Sequence, residues 1–163
     1  MKTNIVRFNL VSNIDCFLPL SAYKFCCDNI FAKAIIISPS SDRLFAIFKQ
    51  ILLYKSLLVK SYSSVPWRSV KYMNGSEIRG FAEEKDIWSL CGQSCQQVYV
   101  DSAEQIDTKV ILDIPNMLRG DNGTAKYYTT ERGFKLPSCS ADTPKEDHKG
   151  QTYNEYTNTW SWL

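Results

Sequence analysis

Between Ser40 and Lys60, apolar residues recur with the period of a helix. At 100° per residue, Leu44, Ile47, Phe48, Ile51, Leu52, Tyr54, Leu58 and Val59 share one broad half of the cylinder, while Lys49, Ser56 and Lys60 lie on the other. Ser40, Ser41 or Asp42 offers a side-chain acceptor to the free N–H groups of a first turn. The pattern predicts a helix over 42–60, packed on the protein's own core. The alternative is an amphipathic helix on a membrane surface, since Arg43, Lys49, Lys55 and Lys60 are opposed only by Asp42. Lys49, Gln50 and Lys55 break the run well short of the roughly 20 apolar residues that a bilayer-crossing helix requires.

The flanking patterns have period two or no period. Asn4–Val11 alternates and predicts a strand, and Ala34-Ile35-Ile36-Ile37 is a continuous branched run of the kind buried on both faces of a sheet. A helix is expected over 20–33, opened by Pro19 and Ser21, and another over 81–91, with Glu83, Glu84 and Asp86 near its start and Gly92 as its stop. Strands are expected at 97–101, 109–114 and 125–130, and a short one at 69–72. The fold class is therefore α/β or α+β: a single compact domain with a mixed sheet and about three helices. Residues 137–159 contain few aliphatic side chains, so 137–163 reads as a loose polar tether with an aromatic end, appended to a domain spanning 1–136.

Composition sharpens this picture at one point. The 163 residues are 44% hydrophobic, enough for a core, and the formal net charge of +2 is too small to indicate nucleic acid. The distribution is uneven. Residues 1–72 hold ten Lys/Arg, three Asp, no Glu and no glycine, whereas 73–163 are acidic and hold all seven glycines. A Gly-free first half excludes a P-loop or a dinucleotide fingerprint there. The six cysteines match no secreted framework, and Ser12, Asn13 and Asp15 break any signal-peptide core, so an intracellular setting is favoured.

Chemistry is sparse. Asp101 and Asp113 each end or follow an apolar strand-like run. In a parallel sheet both would emerge at the edge where α/β folds bind ligands; in a hairpin they would lie at opposite ends. Ser38, Ser40 and Ser41, between a buried strand and a helix start, suit either a phosphate or ordinary capping. Cys91 and Cys95 form a CxxxC too widely spaced on a regular helix for a relaxed disulfide, and with His148 as the only histidine no metal site is indicated. Tyr127, Tyr128, Tyr153, Tyr156, Trp160 and Trp162 offer an aromatic face with polar tips.

With no complete catalytic set visible, the leading expectation is a non-catalytic interaction protein using that aromatic C-terminal half on a protein or carbohydrate partner. A small α/β transferase or hydrolase built on Asp101 and Asp113 is the alternative, and membrane-surface association through 42–60 the third. No cofactor is legible.

Overall fold

The first strand to explain is Lys33–Ser38 (β2), because everything else is arranged on either side of it. Ala34 to Ser38 are all buried. Ala34 and Ile36 point to one apolar cluster and Ile35 and Ile37 to another, so the branched run supplies the cores of both faces at once. The computed structural model describes residues 2–7, 11–120, 123–129, 134–137, 151–154 and 159–162.

The remaining strands are β1 (Lys2–Arg7), β3 (Val59–Ser63), β4 (Arg68–Tyr72), β5 (Glu77–Ala82), β6 (Gln97–Val100), β7 (Thr124–Thr129), β8 (Gln151–Asn154) and β9 (Thr159–Trp162). They form one mixed sheet in the order β3-β4-β5-β2-β6-β7-β1-β9-β8. Its centre, β5-β2-β6-β7-β1, is parallel. Antiparallel strands flank it, β3 and β4 on one side and β9 and β8 on the other.

Helices cover both faces, which makes the domain α/β. On one face lie α1 (Val11–Asp28) and α2 (Ser41–Leu53), whose Leu18, Ala22, Tyr23, Leu44, Ile47, Phe48 and Ile51 meet Ile36, Val70, Ile78 and Tyr99. On the other lie α4 (Thr108–Met117) and the end of α3 (Glu83–Leu90), with Val110, Ile111, Ile114, Met117 and Leu90 against Ile35, Ile37, Val98 and Val100. Each fully buried aliphatic or aromatic side chain here contributes about 1.5–3 kcal/mol.

Several expectations change. The 42–60 helix stops at Leu53, with Tyr54 as its extended C-cap, and Val59–Ser63 turns into the outermost strand β3. Continuing the helix would have driven Lys55 into the apolar stripe; instead its Nζ donates to the Leu52 carbonyl at 3.1 Å. Within the helix, Leu44, Ile47, Phe48 and Ile51 of the stripe are buried in the core, which removes the helical face that membrane association needed, while Leu58 and Val59 lie beyond the helix and are exposed. Among the described residues no helix is long and apolar enough to cross a membrane. The strand expected at 109–114 is helix α4. Its Val110, Ile111, Ile114 and Met117 follow helical spacing, and Asp107 caps it by accepting from the Lys109 amide at 2.7 Å. The helix expected over 20–33 runs over Val11–Asp28 with Pro19 inside it. Strand β5 was not expected, and Phe81, expected to open the 81–91 helix, belongs to it together with Ala82, so that helix begins only at Glu83.

Most of the expected polar tether, 138–150 and 155–158, lies outside the described residues, as do His148, Cys139 and Tyr156. Gln151–Asn154 and Thr159–Trp162 nevertheless form a hairpin in which Tyr153 is register partner of Trp160.

Candidate functional site

The chain leaves β2 into α2 on one face of the sheet. It leaves the neighbouring β6 toward α4 on the other. Adjacent parallel strands whose connections diverge in this way mark a topological switch point, and ligands of open α/β sheets usually lie outside the carboxyl ends there. At this switch point Ser38 ends β2 and Asp101 follows β6.

Asp101 is 1% exposed, and four donors converge on its carboxylate. Oδ2 accepts from Ser38 Oγ at 2.9 Å and from Arg43 Nε at 2.8 Å. Oδ1 accepts from Arg43 Nη2 at 2.8 Å and from Ser102 Oγ at 3.1 Å. The Arg43 contact is thus a bidentate fork, the strongest form of this pair. The Asp101 amide donates to the Ile37 carbonyl at 2.8 Å, tying the two strand ends together, and Ser102 adopts a left-handed conformation with φ 49°.

Around this carboxylate the edge is closed by the acidic first turn of α3. Glu84 accepts from the Ser41 amide at 2.8 Å, Asp86 from the Ala82 amide at 3.0 Å, and Glu83 from the Asp107 amide at 3.0 and 3.2 Å. The N-terminal amide of α2 that suited a phosphate is therefore partnered by a carboxylate. Ser40 performs the ordinary capping role, accepting from the Arg43 amide at 3.4 Å.

The other candidates fall elsewhere. Asp113 is half-buried on α4 and accepts from Asn116 Nδ2 at 2.8 Å, so it is not a strand-end partner of Asp101. Tyr127 and Tyr128 are each 2% exposed, and the pleat sends them into opposite clusters. Burial pushes the Tyr128 hydroxyl up to about 12 and raises that of Tyr127 as well. Tyr153, Trp160 and Trp162 lie in β8 and β9, with side chains outside the described residues. Cys91 is exposed and Cys95 buried, and both are free thiols. Among the described residues no group of three or more His, Cys, Asp or Glu is gathered as a metal site. Sequence reasoning missed Arg43, whose partner is 58 residues away and which looks like any cation in a helix's first turn.

No protein-family model and no curated protein matches the chain. Among solved structures it is similar to the ATPase domain of the large terminase of Thermus phage P74-26, at 18% identity and a TM-score of 0.62. An arginine-to-alanine variant of that domain gives 17% and 0.60. Each comparison covers 82% of this chain and 61% of that one. The large terminase of a thermophilic bacteriophage gives 7% identity and a TM-score of 0.58, over 77% of this chain and 33% of that one. At these identities the likeness is one of fold, and the chain spans less than two thirds of each neighbour. Two expectations lose their ground: the fold is shared with domains known as terminase ATPases, so the small net charge no longer sets nucleic acid aside, and the leading non-catalytic aromatic reading gains no support from the likeness.

Proposed function

We propose that this chain is a nucleotide-binding domain that takes the phosphate end of a nucleoside phosphate at the switch point between β2 and β6. The observation that carries this reading is the assembly of Ser38, Arg43, Asp101 and Ser102 at the carboxyl edge of diverging parallel strands. The likeness to terminase ATPase domains supports the ligand class. Asp101 retains from the enzyme alternative the role of a strand-end carboxylate, now without Asp113.

P-loop NTPases cradle the β- and γ-phosphates in a Gly-rich loop and use a strand-end Asp on Mg²⁺. Here β1 leads to α1 through Phe8, Asn9 and Leu10, and the first glycine of the chain is Gly75. Binding without rapid turnover is therefore the function proposed. A divalent cation, the usual companion of nucleotide phosphates, does not fit the residues as they stand, because both Asp101 oxygens are already engaged by four donors.

Isothermal titration with ATP, ADP and adenosine tests the reading. Saturable binding with a Kd of about 1 mM or tighter is expected for ATP and ADP, with adenosine weaker by at least tenfold. Arg43→Gln, measured in EDTA, should weaken ATP by about tenfold. Absence of saturable ATP binding, or equal binding of adenosine, would overturn it.

A further inference from the structure

The misfit between Asp101 and a cation has its own explanation in the side chain that causes it. We propose that Arg43 is the resident cation of this site: its guanidinium stands where a divalent metal ion would neutralise Asp101, so ligand binding there is independent of divalent metal. This rests on the nucleotide reading for the identity of the ligand, but not for the behaviour of the carboxylate.

Three observations carry the argument. The first is stoichiometric: a carboxylate offers about four acceptor positions, and Arg43 Nε, Arg43 Nη2, Ser38 Oγ and Ser102 Oγ supply four donors at 2.8–3.1 Å. A metal ion would have to expel at least one of them. The second is positional. Asp101 is 1% exposed and the Arg43 side chain 41% exposed, so of the pair it is Arg43 and not the carboxylate that reaches solvent. The third is the anchoring of both partners. Arg43 sits in the first turn of a helix capped by Ser40, and Asp101 is held by its own amide to the Ile37 carbonyl, so the fork is set by two elements of the core. A guanidinium cannot be deprotonated near neutrality, and its planar geometry suits carboxylate and phosphate alike. One group thus neutralises the buried acid and presents positive charge to an incoming phosphate. Arg43 acts here as a positioning residue toward Asp101 and a binding residue toward phosphate.

The test reads metal and nucleotide separately on the full chain. Mn²⁺ binding is followed by electron paramagnetic resonance of the free ion, and ATP binding by calorimetry in EDTA and in excess Mg²⁺. The parent protein should bind Mn²⁺ at Asp101 negligibly up to millimolar concentration, and its ATP Kd should change less than about twofold between EDTA and Mg²⁺. Arg43→Gln should gain Mn²⁺ affinity by at least about tenfold, and Arg43→Gln with Asp101→Asn should lose that gain. Arg43→Lys, which keeps the charge but not the fork, should fall between. Circular dichroism confirms folding. If Arg43→Gln does not fold, Arg43→Lys alone decides, by gaining Mn²⁺ affinity or not. Tight Mn²⁺ binding by the parent that Asp101→Asn removes would overturn the proposal, as would no gain in the Arg43 variants or a tenfold tightening of ATP by Mg²⁺ in the parent. A parent that binds no ATP, with the Mn²⁺ gain still present and dependent on Asp101, would defeat the nucleotide reading and leave the resident cation standing.

Discussion

Gly80 is a residue whose role emerges only from its neighbours. It lies in the middle of β5, where a side chain would normally help the strand, yet a Cβ there would run into the Phe48 ring and come within 2.9 Å of Leu44 Cδ1. The missing side chain is what lets α2 settle on the sheet. Burial decides residue chemistry in the same way at the thiols. It pushes Cys26 and Cys95 up to about 12, while Cys91 is exposed. Cysteine mapping by mass spectrometry after brief alkylation at pH 8 should find Cys91 modified and Cys26 and Cys95 protected until the protein unfolds. Rapid native labelling of Cys95 would refute its placement in the core. The same shift sets a direction for stability. Unfolded thiols lose their protons near their ordinary value of about 8.5, whereas the folded ones keep theirs to about 12, so the unfolded chain binds fewer protons across that window. The contribution of these thiols is complete below about pH 8.5 and is lost as pH rises toward 12. Burial likewise raises Tyr72 and Tyr99, adding to the alkaline loss, while it lowers Lys126, which works against that loss. Denaturant midpoints falling from pH 8 to pH 11 are expected; a flat profile would count against the buried thiols.

At the scale of elements, α4 shows why a branched run misleads. Val110-Ile111-Leu112 has the composition of a strand, but Val110, Ile111, Ile114 and Met117 lie on one side of a helix and fill the second core. Ile114 is fully buried, so Ile114→Ala should cost about 2–5 kcal/mol in urea unfolding. Asp107→Ala should cost about 0.5–2 kcal/mol through loss of the cap. Asp113→Asn, on a half-buried position with a local partner, should stay within about 0.5 kcal/mol. If Asp113→Asn proved the costliest of the three, the helix assignment would have to be abandoned. Helix α3 has a different local logic. Its acidic first turn has no side-chain cap of its own, and Glu83, Glu84 and Asp86 accept from amides of Asp107, Ser41 and Ala82. Its charges staple the edge at the switch point as well as favouring the positive end of the helix.

For the whole molecule, strand order governs what is stable and what is reachable. Strand β2 has parallel partners on both sides and is buried from Ala34 to Ser38, whereas all five residues of β3 are exposed and pair only with β4. Amide hydrogen exchange should therefore be slowest in β2 and β6 and fastest, among the strands from β2 to β7, in β3. Protection in β3 equal to that in β2 would mean that a partner covers that edge. The switch point owes its existence to the same order, because it needs β2 and β6 to be neighbours although 58 residues of chain separate Lys33–Ser38 from Gln97–Val100.

What could be read from the chain alone was whatever depends on near neighbours. The double-sided burial of Ala34–Ile37, a helix start at Ser40, Ser41 or Asp42, strands near 97–101 and 125–130 and the α/β character all follow from local period and capping chemistry, and the structure sets them at the Ser40 cap, Gln97–Val100 and Thr124–Thr129. Asp101 was legible as a strand-end carboxylate for the same reason. Tertiary structure decided everything that required distant groups to meet. It ended the helix at Leu53 rather than Lys60, made a helix of 108–117, admitted Gly80 to a strand by setting Phe48 over it, and buried Tyr127 and Tyr128 on opposite faces. It also brought the Arg43 fork to Asp101. The physical reason is that burial and charge pairing are properties of three-dimensional neighbours, and a residue's own sequence context carries no record of which side chain will arrive beside it.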